Sequence, residues 1–152
     1  MAKRVLMVLT SHDLMGLSGK KTGNWFDEVA TPYYTFKERG FDLVLASVRG
    51  GAAPLDPLSF DQAFATANTR RFEADPVAMR ALANTLPLNE VNYHDFDAAF
   101  FPGGYGQLWD LASNSLAIKL IEDLIARRLR WRWSAMPRPS SVTPGSPMAT
   151  PS

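Results

Sequence analysis

The run Asp97-Ala-Ala-Phe-Phe-Pro-Gly-Gly-Tyr-Gly106 constrains this chain more than any other stretch. An apolar segment halts at Pro-Gly-Gly and resumes as Gln107-Leu-Trp-Asp110, which reads as strand, tight turn and helix. In an open α/β sheet such a turn lies at the carboxyl end of a strand, where ligands bind. Gly103 and Gly104 have no Cβ, so the turn can adopt positive φ and leave backbone N–H groups facing a bound molecule.

The residues before this turn read as scaffold for it. Arg4-Val-Leu-Met-Val-Leu-Thr10 is a continuous apolar run, the pattern of a strand covered on both faces. Residues 11–23 form a polar, glycine-containing loop at its carboxyl end. Asn24 is suited to cap a helix from Trp25, in which Phe26, Val29, Ala30, Tyr33 and Phe36 recur on one face. Pro32 removes the N–H that would bond the Glu28 carbonyl, so a kink is expected one turn into this helix. Gly40 closes the helix, and Phe41 to Ser47 forms the second strand of a βαβ unit. Gly50-Gly51, Pro54 and Pro57 mark a loop, and residues 59–71 read as an irregular excursion with about one helical turn. Asp75 before Pro76 starts a helix to about Thr85. Val91 to Asp95 is a connector, Ala98 to Phe101 a third strand, and Ser115 to Arg128 an amphipathic helix (Leu116, Ile118, Leu120, Ile121, Leu124, Ile125). The array predicts a doubly wound α/β sheet, cut short.

At 152 residues, 46% of them hydrophobic, and with a net charge of +1, the chain has enough material for one core, and its charge gives no case for nucleic acid or a membrane surface as partner. Its lack of cysteine excludes disulfides, thiolate metal sites and a cysteine nucleophile in this chain. No apolar run approaches about eighteen residues, and Met1-Ala-Lys-Arg leads directly into a strand, so a cytoplasmic protein is expected. His12 and His94 lie in loops without partners at metal-ligand spacing and read as surface or structural residues. Ser134 lacks the Gly-x-Ser-x-Gly surroundings of a nucleophile elbow.

Three co-ordered stretches carry a resemblance: Thr22-Gly-Asn-Trp-Phe-Asp-Glu-Val-Ala-Thr-Pro-Tyr-Tyr34; Ala46-Ser47 with Gly50-Gly-Ala-Ala-Pro-Leu-Asp-Pro57; and Phe101-Pro-Gly-Gly-Tyr-Gly106 with Trp109-Asp110. Together they resemble the ThiJ/PfpI superfamily, in its glyoxalase III-like, stress-chaperone-related branch, over roughly residues 4 to 128. The resemblance implies a flavodoxin-like three-layer α/β domain, a homodimer, and activity without metal or organic cofactor. It implies a site made of a cysteine on a strand-to-helix elbow, a histidine after it, and a glutamate from the first helix. Glu28 matches that glutamate, and Gly104 matches the glycine whose N–H helps bind an oxyanion, with Gly103 beside it. Tyr105 stands where the branch often has histidine. The implied chemistry is thiolate attack on a small 2-oxoaldehyde or related carbonyl, amide stabilisation of the hemithioacetal oxyanion, proton transfer by the carboxyl group, and release of a 2-hydroxy acid such as D-lactate. A related deglycase or amidase activity stays open.

The cysteine and histidine of that pattern have no counterpart here. Their motif should fall near Ser134 to Met136, where the chain reads Trp131-Arg-Trp-Ser-Ala-Met-Pro137. Regrouping the codons of this segment from each third base allows Ala-Val-Val-Cys-His-Ala-Pro, an apolar strand ending in a cysteine elbow, given suitable third bases. Residues 130–152, rich in Pro, Ser and Thr and without periodicity, are therefore expected to be a disordered, out-of-frame tail on an α/β domain spanning 1–129 that lacks its C-terminal strands. The expectation is a family member that keeps Glu28 and the glycine turn but does not turn over substrate. The competing expectation is a non-catalytic, chaperone-like or binding protein of the same fold.

Overall fold

The computed structural model describes residues 1–135 and contains a four-stranded, all-parallel sheet with helices on both faces. Strand β1 (Arg4–Leu9) pairs with β2 (Asp42–Ser47) on one side and with β4 (Ala98–Phe100) on the other. A two-residue strand, β3 (Leu86–Pro87), extends the far side of β2, so the order is β3-β2-β1-β4. The strand order reverses between β1 and β4, and their carboxyl ends define the switch point of the sheet.

Val5 to Leu9 are all buried, as the uninterrupted apolar run requires of a central strand. Alternate residues serve opposite faces. Met7 and Leu9 join Phe26, Val29, Tyr33 and Phe72 on one side, whereas Leu6 and Val8 join Leu111, Ala117 and Leu120 on the other. Each such side chain contributes about 1.5–3 kcal/mol on removal from water, so the two-sided core makes β1 the strand on which both helical layers depend.

Helix α1 (Phe26–Glu38) runs through Pro32 as one element. It ends in a Schellman arrangement: Gly40 has φ +79°, its N–H donates to Lys37 O, and the N–H of Phe41 donates to Phe36 O. The ring of Phe41 packs on that of Phe36 at a centroid distance of 5.9 Å, which closes the cap with an apolar contact. At the other end the expectation for Asn24 is corrected. The N-cap is Trp25 and has no side-chain cap bond, because the Asn24 side chain is committed to the end of β1.

Between β2 and β4 the excursion is more regular than expected. Helix α2 (Ala67–Ala74) occupies part of the stretch read as irregular. Its capping box uses Thr66 and Thr69 rather than the usual Glu or Gln at the third position, which hid it from the pattern. Helix α3 (Pro76–Ala83) starts as predicted, with the Asp75 carboxylate accepting from the N–H groups of Val77 and Ala78. Helix α4 (Gln107–Asp110) follows the glycine turn, and α5 spans Ser115–Ala135.

The course of α5 corrects the expected boundary at Arg128: the backbone stays helical over 130–135, where a disordered tail was expected. No glycine or proline interrupts the sequence before Pro137, so nothing local ends the helix earlier. The remainder of the expected tail, 136–152, lies outside the described residues. No helix among the described residues is long and apolar enough to cross a membrane.

Candidate functional site

Elements adjacent in space but distant in sequence meet at the carboxyl ends of β1 and β4. The Asn24 side chain is completely buried and stitches two of them together: its Oδ1 accepts from Thr10 N–H at 3.0 Å, while its Nδ2 donates to Thr10 O at 3.1 Å and Pro54 O at 2.9 Å. These bonds satisfy backbone groups that the sheet leaves unpaired at its rim. Asp110 completes the stitching from α4, its carboxylate accepting from Thr10 Oγ1 and from Ser11 N–H, both at 2.7 Å. Charge-assisted bonds of this kind are the stronger ones. They fix the helix that follows the glycine turn to the strand facing it.

That framework presents the turn to α1. The Gly103 carbonyl accepts from Trp25 N–H at 2.8 Å, and the Gly103 N–H donates to Glu28 Oε2 at 2.5 Å. The glycine turn after β4 and the start of α1 are thus clamped by two bonds, one in each direction. A Cβ at Gly103 would meet the Glu28 carboxyl carbon at 2.6 Å. Gly104 has φ +144°, and a Cβ there would press on Gly23 O and come within 2.9 Å of Asn24 Cα. Gly104 therefore requires glycine, for close approach to backbone and for its conformation, whereas a side chain at Gly103 would displace the Glu28 carboxylate. Beside the clamp lies an open cavity of about 380 Å³ lined by Trp25, Glu28, Gly104, Tyr105 and Leu108.

The sequence-selected residues Glu28, Gly103, Gly104 and Tyr105 are brought together at this crevice. Glu28 and Tyr105 are both exposed to solvent. Trp25 and Leu108 also line it, and neither was singled out as a site residue; Trp25 sits at the start of the helix carrying Glu28, and Leu108 one turn beyond the glycines. The Asn24 and Asp110 contacts were hidden as well. Their signal is a polar residue, Thr10, closing an otherwise apolar strand. His12 stacks on Trp109 with ring centroids 5.2 Å apart and planes 12° from parallel, while His94 lies on the surface 3.9 Å from Asp123. No cluster of His, Asp and Glu among the described residues is arranged to hold a metal ion.

Apolar side chains are exposed on both α5 and α4. On α5, Ala117 and Leu120 face the core, whereas Leu116, Ile118, Ile121 and Ile125 are exposed. Residues 118, 121 and 125 recur at helical spacing and form a second apolar stripe beside the buried one. Leu108 and Trp109 on α4 are exposed too, and β4 pairs on one side only among the described residues.

No family model matches the chain. Among curated proteins it is 33% identical, over 111 residues, to a probable glutathione-independent glyoxalase of Saccharomyces cerevisiae (SNO4); the match covers 71% of this chain and 46% of the relative. Among solved structures, the Rapid Encystment Protein of 24 kDa from Francisella tularensis superposes with a TM-score of 0.77 at 37% identity, covering 82% of this chain and 55% of that one. Glyoxalase III from Candida albicans superposes with a TM-score of 0.73 at 26% identity, covering 82% and 53%. The chain thus spans about half the length of the relatives it matches.

Proposed function

The chain is a homologue of the glyoxalase III-like branch of the ThiJ/PfpI superfamily, and on that footing we propose that its switch-point crevice is a binding site for small carbonyl compounds that this chain holds without turning them over. The observation that carries the proposal is the Glu28 carboxylate held against the Gly103 amide at the mouth of the cavity. A carboxylate so placed can take a proton from a carbon beside a carbonyl and return it to the neighbouring one. The Gly104 N–H has no acceptor among the described residues and is the candidate donor to a carbonyl oxygen gaining charge.

Covalent activation is the part this chain cannot supply. It has no cysteine, so no thiolate adds to the carbonyl carbon, no hemithioacetal forms, and Glu28 has no activated carbon to serve. In the same reading, the residues after Leu129 are translated out of frame, and the nucleotide sequence around codons 126–137 tests this directly. Binding is tested with hydroxyacetone, a carbonyl compound lacking the reactive aldehyde. Titration should shift the Gly103 and Gly104 amide resonances in the ¹H–¹⁵N spectrum. Shifts confined to other regions would reject the crevice as the site.

The exposed apolar stripe on α5, together with Leu108 and Trp109, favours a second reading as a chaperone-like or self-associating protein. Suppression of thermal aggregation of a client protein by the purified chain, lost on changing Ile121 and Ile125 to Ser, would support that reading. Absence of suppression would remove it.

A further inference from the structure

We infer that the crevice selects small organic cations, of the size and character of alkylated ammonium groups, over neutral and anionic molecules. The inference rests on this crevice being the binding site, as proposed above, but on no part of the glyoxalase chemistry. Among the described residues, the cavity is lined by Trp25, Glu28, Gly104, Tyr105 and Leu108. Of these, Glu28 alone carries a formal charge, and the rest are aromatic, aliphatic or glycine. The Gly103 N–H engages Oε2 of the carboxylate, which leaves Oε1 without a hydrogen-bond partner among the described residues. Trp25 packs T-shaped against Phe64, with centroids 5.1 Å apart and planes at 75°. A carboxylate that shares its cavity with an indole and a phenol attracts an ammonium group by charge, and aromatic rings of the lining add cation–π attraction. A neutral molecule of equal size gains apolar burial and a hydrogen bond but no charge attraction, and an anion meets Glu28.

Positive partial charge nearby works against this. The amino-terminal end of α1 faces the site from Phe26, and such an end favours anions by about half a charge. Two full negative charges, Asp27 and Glu28, sit in that first turn. The Asp27 carboxylate accepts from the hydroxyls of Thr31 and Thr66, neutral groups that leave its charge in place. Arg49 is tied to Ser11 O at 2.6 Å and is absent from the lining. Negative charge therefore prevails at the cavity.

The test titrates the ¹⁵N-labelled chain with tetramethylammonium and, separately, with tert-butanol, a neutral molecule of similar size, at constant ionic strength. The Gly103 and Gly104 amide resonances are followed. Tetramethylammonium should bind at least about fivefold more tightly than tert-butanol. Glu28→Gln should weaken its binding about three- to tenfold. Tyr105→Leu, at an exposed ring that lines the cavity, should weaken tetramethylammonium binding about two- to fivefold more than it weakens that of tert-butanol. If Glu28→Gln does not fold, Tyr105→Leu and the comparison of the two probes decide. Equal binding of the two probes, or full retention by both variants, would overturn cation selection while leaving the crevice as a site. Failure of tetramethylammonium, tert-butanol and hydroxyacetone alike to move either glycine would overturn both readings.

Discussion

Replacing Asn24 by alanine tests the framework beneath the site. The side chain is fully buried and serves three backbone groups: Thr10 N–H, Thr10 O and Pro54 O. Pro54 O also accepts from the Asn24 backbone N–H at 2.9 Å and so keeps a partner. The two groups of Thr10 lose the bonds that, among the described residues, satisfy them at the sheet's rim. Each buried, unsatisfied polar group costs about 1–3 kcal/mol, so Asn24→Ala, which orphans two, should destabilise the fold by about 2–6 kcal/mol. With a urea dependence of about 1–3 kcal/mol per molar, the unfolding midpoint should fall by about 1–3 M. Asn24→Asp sharpens the test. Its second oxygen would stand where Nδ2 now donates, 3.1 Å from Thr10 O and 2.9 Å from Pro54 O. Only the protonated acid can bond there, so the folded state should raise this carboxyl group's pKa above the unfolded value of about 3.9. Between those two values the unfolded chain releases a proton that the folded chain keeps. Stability should then drop by about 1.4 kcal/mol for each pH unit above 4. A cost below about 0.5 kcal/mol for Asn24→Ala, or a flat pH dependence for Asn24→Asp from pH 4 to 7, would refute the assigned bonding.

The remaining predictions concern the turn, its anchor and the helical layer. Gly104→Ala should cost about 2 kcal/mol or more in a thermal melt, since its Cβ meets backbone atoms at a φ that side chains rarely adopt, whereas Gly19→Ala, with open space around it, should cost about 1. Asp110→Ala removes the acceptor for Thr10 Oγ1 and Ser11 N–H and should cost about 1–3 kcal/mol in urea unfolding, partly recovered by Asp110→Asn. Tyr34 donates to Asp75 at 2.9 Å beneath the Arg71 guanidinium, and burial followed by that bond pushes its pKa up to about 12. Ultraviolet titration should therefore show one tyrosine ionising late, absent in Tyr34→Phe. Because the folded value lies above the unfolded value of about 10, the stability this phenol contributes should be lost as pH rises from 10 to 12.

What the sequence made legible followed from local pattern. The continuous run at residues 4–10 announced a strand covered on both faces, and the structure buries Val5 to Leu9 completely enough to supply both layers. Gly40 and the Asp75-Pro76 pair marked helix ends because their backbone demands are local. Features set by tertiary contact stayed hidden. Asn24 looks like a helix cap to a local reading, yet two unsatisfied groups on a neighbouring strand claim its amide. Strand β3 is two residues long and exists only because β2 offers an edge. Six apolar residues of α5 read as one amphipathic face, but the structure buries Leu120, half-buries Leu124 and leaves the other four exposed. For the site, Glu28 and the glycines were found through matched stretches, while Trp25 and Leu108 emerged only once the turn was folded against α1.

The most direct measurement is D-lactate formation from methylglyoxal by the purified chain, with Glu28→Gln alongside. A carboxylate clamp and glycine turn without a thiol should give a rate indistinguishable from that of buffer. D-lactate produced in proportion to the chain, and lost in Glu28→Gln, would contradict this: the site would then activate the carbonyl without sulfur, and Glu28 would be catalytic in the chain as it stands.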